Sequence, residues 1–203
     1  MIILLNGPPR SGKDTIAEFI SNKYGFIHYN FKEPLIQMVV KLFDIPRFLW
    51  DEKYITSKDI KMDFLRIYER KFSPREALIY VAEEMIKPVL GPSIFANVIA
   101  NRINPNKNYV ISDLGFKHEM DEVLAKLNSN GINNEMNDSI NNNINIFRIY
   151  RDRCSFVNDS RNYIPIIKDI NTSIIYNNGS IYDLEKKVEG MVDSIINKFN
   201  LDI

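Results

Sequence analysis

The sequence predicts an α/β fold: a parallel sheet flanked by helices. Three observations carry this. Short apolar runs alternate along the chain with stretches of helical period. The runs Ile2–Leu5 and Val110–Ile111 are apolar throughout, as strands buried on both faces are. The first run enters a glycine loop that opens into a helix, an order that needs a strand end and a helix start at one place.

Residues 2–6 form the first strand, 7–12 the loop and 13–23 the first helix. Phe26-Ile27-His28-Tyr29-Asn30 reads as a short second strand. Pro34 stands one residue into a helix with apolar positions Leu35, Met38, Val39 and Leu42. Residues 44–72 mix aromatics and charges without a period and read as an insertion. Ser73-Pro74-Arg75-Glu76 has capping-box spacing, and its helix is expected to stop before Pro88. A helix follows from Pro92 to Ile103, then a strand at 108–113 ending in Asp113, then a helix over 116–127. Residues 128–145 hold nine asparagines and read as a mobile surface loop. A strand over 144–150 leads into a polar, lid-like segment at 151–165. A last strand, 172–176, meets the turn Asn177-Asn178-Gly179, and Ser180 caps the final helix. The whole is expected to be one domain, with an insertion at 44–72 and a lid-like segment at 151–165.

Composition excludes several function classes. Lys+Arg 26 against Asp+Glu 26 leaves no net charge, which speaks against a nucleic-acid polymer or a polybasic membrane surface. The single Cys154 excludes an internal disulfide and points to a reducing compartment, the cytoplasm, and one Cys with two His speaks against a structural zinc site. No run has membrane-spanning length, and Met1–Leu5 is too short for a signal peptide.

The chemistry concentrates in Gly7-Pro8-Pro9-Arg10-Ser11-Gly12-Lys13-Asp14-Thr15. Gly7, Gly12 and Lys13 match GxxxxGK, the phosphate-binding loop of P-loop NTPases. Backbone N–H groups and the helix start hold an anion there, and Lys13 reaches the β- and γ-phosphates. Asp14 stands where a Ser or Thr usually holds Mg²⁺. A carboxylate is also a hard oxygen ligand; the alternative is a helix-capping acid. Thr15 can donate to the α-phosphate. Asp113, at a strand end on the same sheet edge, is the candidate second acid near Mg²⁺. Arg151, Arg153 and Arg161 cluster in the lid-like segment, where cations can close over a transferring phosphoryl group. Arg75 could fork onto a second phosphate. Phe95 is read either as a base-stacking platform or as a core aromatic.

The run Arg10-Ser11-Gly12-Lys13-Asp14-Thr15 resembles the loop of bacteriophage deoxynucleoside monophosphate kinases. Ser73-Pro74-Arg75, Asp113 with His118-Glu119-Met120-Asp121, and Asn178-Gly179-Ser180 are similar to further segments of that family. The resemblance implies an adenylate-kinase-like fold with an acceptor-binding insertion and a lid. It also implies ATP as donor, Mg²⁺ as cofactor and a (deoxy)nucleoside monophosphate as acceptor. For a phage protein the host cytoplasm is then the expected location. Residues Gly7, Arg10, Ser11, Gly12, Lys13, Asp14, Thr15, Arg153 and Asn178 would serve ATP. Lys13, Asp14, Asp113 and Arg151 would serve transfer, and Arg75, Phe95 and Lys32 the acceptor. Two positions depart from the family: its arginine two residues past the strand-end acid is Gly115 here, with Lys117 the nearby substitute, and its basic residue after Pro34 is Ile36. Two rival readings stand beside this one. The first is a kinase of another small phosphorylated acceptor, such as phosphomevalonate. The second is a nucleotide-binding module without transfer. Either a monomer or a homodimer is compatible with the sequence.

Overall fold

Strand β1 (Ile2–Asn6) lies at the centre of a five-stranded sheet. Its neighbours are β5 (Tyr109–Leu114) and β6 (Ile144–Tyr150); β2 (Ile27–Tyr29) and β7 (Asn171–Tyr176) form the edges, in the order β2-β5-β1-β6-β7. Every pairing is parallel. The computed structural model describes residues 1–130, 143–168 and 170–201. Most of the asparagine-rich stretch read as a loop, residues 131–142, lies outside them. The described residues fall into two compact units, those within 1–31 and 99–201, and those of 32–98.

In the first unit, Ile3, Leu5, Val110, Phe147, Ile149 and Ile175 point to one face of the sheet. Two helices cover that face: α1 (Lys13–Tyr24) through Ile16, Ala17 and Ile20, and the C-terminal helix through Leu184, Val188, Val192 and Ile195. Ile2 and Leu4, equally buried, alternate to the other face. Because the strands are parallel, their carboxyl ends share one edge of the sheet, and the loop after β1 opens there. Beyond Leu4, β5 carries one extra residue relative to β1: Leu4 pairs with Ile111, but Asn6 pairs with Leu114. A bulge of this kind re-aims the side chains around it, here Ser112 and Asp113. Helix α7 (Lys117–Asn130) follows β5.

The second unit contains α2 (Glu33–Leu42), α3 (Arg47–Thr56), the antiparallel hairpin β3 (Met62–Ile67) and β4 (Arg70–Phe72), and α4 (Pro74–Ile79). The insertion expected at 44–72, where no period is legible in the sequence, is a helix and a hairpin. Trp50, Leu65 and Phe72 are buried in one cluster with Leu35, Val39 and Ala77, so the unit has a core of its own and begins at Lys32, before the expected insertion. The capping box of Ser73 and Glu76 is present as the spacing predicts.

The helix after Ser73 does not stop before Pro88. A π-helical turn, Tyr80–Ile86, continues into α5 (Lys87–Leu90). In that turn the Lys87 N–H bonds the Ala82 carbonyl five residues back, so the ladder has already shifted when it reaches Pro88, which has no N–H to give. Helix α6 (Ile94–Arg102) holds the boundary between the units, and α8 (Ile181–Leu201) ends the described chain. Among the described residues no helix is long and apolar enough to cross a membrane.

Candidate active site

The loop between β1 and α1 has the geometry of an anion cradle. Gly12 ends it at φ 99°, a conformation that disfavours any residue with a Cβ. The Ile16 N–H takes the Gly12 carbonyl at 3.0 Å, which begins the helical ladder. The N–H groups of the turn before it have no intrahelical acceptor and present donors and the positive dipole end to the sheet edge. Arg10 also has a positive φ, 65°. Lys13 is buried and donates to the Pro8 carbonyl at 2.7 Å, so its ammonium closes back over the loop. Asp14 and Thr15 are exposed on the first turn of α1, and Ser11 is fully buried within the loop.

Two asparagines that the sequence did not single out hold this edge together. Asn177, 7% exposed, donates to the Ser11 carbonyl at 2.8 Å, and its amide nitrogen stands only 2.4 Å from where a Cβ on Gly12 would sit. Asn6 is wholly buried. It donates to the carbonyls of Leu114 (2.9 Å) and Asn162 (3.1 Å) and accepts from the Ile164 N–H (2.9 Å). A polar residue closing a buried apolar strand was the available signal for Asn6. For Asn177 the signal is the Asn-Asn pair, of which the sequence motif points to the second member, Asn178. Asn178 is exposed and exchanges two bonds of 2.9 Å with Asp152, fixing the turn after β6.

Arg151 donates to the Arg10 carbonyl at 3.3 Å, which brings it to the loop. Arg153 is exposed in the same turn at φ 62°. Asp113 accepts from the Phe31 N–H at 2.7 Å, one residue before the pairing of Leu114 with Asn6. The structure thus gathers Lys13, Asp14, Asp113 and Arg151 at one sheet edge. Lys117 pairs with Asp121 on its own helix at 2.7 Å in an exposed contact, and the stem of Arg161 lies against Gly115. Glu119 accepts from the Gly115 and Phe116 N–H groups at 2.8 and 3.0 Å and so caps α7. Burial, and next the charge of Asp113, push its carboxyl up to about 8.

The acceptor candidates lie in the second unit. Arg75 pairs with Asp59 at 2.8 Å in an exposed contact. Such a pair is weak and readily exchanged. The Lys32 ammonium is 5.8 Å from the centre of the Tyr54 ring. Phe95 is 9% exposed in the apolar cluster of that unit, the position of a core aromatic. That placement leaves almost no ring face for a base.

Among the described residues no group of three or more His, Cys, Asp or Glu is placed to hold a metal ion. One exposed and one half-buried carboxylate, Asp14 and Asp113, suit a cation that arrives with ligand phosphates, as Mg²⁺ does, better than a cage made by the protein alone.

A parallel sheet whose central strand runs into a GxxxxGK loop and a helix defines a P-loop α/β protein. No protein-family model matches the chain. In sequence it is 28% identical over 153 residues to a protein of Acanthamoeba polyphaga mimivirus called "Putative deoxynucleotide monophosphate kinase", covering 65% of this chain and 76% of that one. Solved structures similar in fold include a gluconokinase from Sinorhizobium meliloti 1021 (TM-score 0.47, 10% identity, 99% and 97% of the two chains). A dephospho-CoA kinase from Campylobacter jejuni is another (TM-score 0.46, 15% identity, 98% of each). Likenesses at this level assign no activity.

Proposed function

We propose that this chain is an ATP-dependent kinase that phosphorylates a deoxynucleoside monophosphate. The observation that carries the reading is the loop: Gly12 in its left-handed conformation, Lys13 folded over the cradle, and Arg151 reaching the Arg10 carbonyl. The similarity to the mimivirus protein supports the choice of acceptor class.

Loop N–H groups and Lys13 would hold the triphosphate. Arg151 would offset the charge of the moving phosphoryl group, and Arg75 would grip the acceptor phosphate. The attacking group is a phosphate oxygen that is already anionic, so no general base is required. Rate comes from positioning and fixed charge. Asp14 and Asp113 are the residues that would hold Mg²⁺, which supplies charge neutralisation when bound with the nucleotide.

A coupled assay of ADP release with each of the four deoxynucleoside monophosphates tests the reading. Turnover with at least one, lost in Lys13→Ala, is the expected result. No acceptor-dependent release with any of the four refutes it.

A further inference from the structure

The end of the segment read as a lid is fastened to the sheet. Asn6 binds both Asn162 and Ile164, Arg148 donates to the Ile164 carbonyl, and the Asn162 N–H donates to the Gly115 carbonyl at 3.3 Å. Residues 161–164 therefore form a strap across the carboxyl ends of β1, β5 and β6. The strap presses Arg161 against Gly115: a Cβ at 115 would stand 2.4 Å from Cδ, 2.5 Å from Cγ and 2.9 Å from Cβ of Arg161. Position 115 must lack a side chain for Arg161 to lie there.

The guanidinium ends in a fork on Asp159. Nε donates at 2.8 Å and Nη2 at 2.6 Å to the two carboxylate oxygens, and the Arg161 N–H adds a third bond at 3.0 Å. The pair is largely shielded, with 30% and 16% of the two side chains exposed. Arg161 holds the Asp159 carboxyl below the usual carboxylate range, and the charge of Lys13 acts in the same direction. A carboxylate thus sits in the joint field of the strap arginine and the loop lysine. Two-pronged binding of this kind is also how arginine binds phosphate.

We propose that Asp159 is a built-in place-holder for ligand phosphate: Arg161 is a phosphate-binding residue, and Asp159 occupies its fork until a phosphate oxygen displaces it. This rests on the reading of the loop as an ATP site. Asp159 is then an internal competitor, and weakening it should tighten binding. A purely structural Asp159–Arg161 pair predicts no gain.

The test is calorimetric titration of the whole chain with ATP and with tripolyphosphate. Asp159→Asn should bind both about three- to tenfold more tightly, the size of one exchanged charge pair. Arg161→Ala should bind both about tenfold more weakly. Gly115→Ala should copy Arg161→Ala by displacing the arginine stem, and Arg161→Lys, which keeps the charge without the fork, should fall between. The double variant Asp159→Asn/Arg161→Ala should bind like Arg161→Ala, because Asp159 has nothing left to block. If Lys13→Ala abolishes binding while Asp159→Asn leaves it unchanged or weakens it, the place-holder is refuted and the loop reading survives. If the unaltered chain binds neither ligand, both fall.

Discussion

Asn177→Ala tests how the phosphate loop is held. The change removes one hydrogen bond, from Nδ2 to the Ser11 carbonyl at 2.8 Å, at a residue that is 7% exposed. Its backbone bond from the Asn177 N–H to the Tyr150 carbonyl is unaffected. A buried carbonyl left without its partner costs about 1–3 kcal/mol. Gly12→Ala strikes the same contact from the other side. The new Cβ would meet the Asn177 amide at 2.4 Å, and an alanine at φ 99° adds about 1–3 kcal/mol of backbone strain. Since both changes break one contact, the double variant should lose less than the sum of the single losses, by about 1 kcal/mol. Urea unfolding followed by far-UV circular dichroism reads this directly. With a slope of about 2 kcal/mol per molar urea, a loss of ~2 kcal/mol moves the midpoint by about 1 M. An unchanged midpoint for Asn177→Ala, or strict additivity with Gly12→Ala, refutes the argument that this amide clamps the loop.

Glu119→Gln should change how stability depends on pH. Glu119 is protonated in both states below about 4.5. Between there and about 8 the unfolded chain releases the proton while the folded chain keeps it, so the natural protein loses stability as pH rises through that window. At about 1.4 kcal/mol per unit the advantage of Gln should grow to a few kcal/mol; a stability difference that stays flat from pH 4 to 8 excludes the raised carboxyl. Ser73→Ala removes the hydroxyl half of the capping box, leaving the residue 73 N–H bond to the Glu76 carboxylate, and should cost about 1 kcal/mol in urea unfolding, a loss that Ser73→Thr should largely restore. Asp14→Asn should raise the Mg²⁺ concentration needed for half-maximal turnover several-fold while leaving the urea midpoint in place. Superimposable Mg²⁺ titrations of the two proteins would leave Asp14 as an exposed acid at a helix start.

What could be read in the chain is what neighbouring residues decide. The β1–loop–α1 unit was legible because strand, glycines and lysine follow one another within a single turn of chain, and the Ser73 cap because its partner is three residues away. The hairpin at 62–72 was not. Only Leu65 of β3 is buried, so the strand has no alternation to find, and its contribution to the core comes through contacts with α2 and α4 residues distant in sequence. Pro88 misled for a related reason: a proline stops a helix only where the ladder needs its N–H, and the π turn before it had removed that need. The candidate site divides along the same line. Lys13 and Asp14 belong to a local motif. Arg161 reaches Gly115, and Asn6 reaches Ile164, only because parallel strands carry their far-separated ends to one edge. From the sequence alone, the missing side chain at Gly115 is the loss of a cation two residues past Asp113. Folded, it is the space that admits Arg161, so the charge at that edge is supplied from the strap and is set by what holds the strap in place.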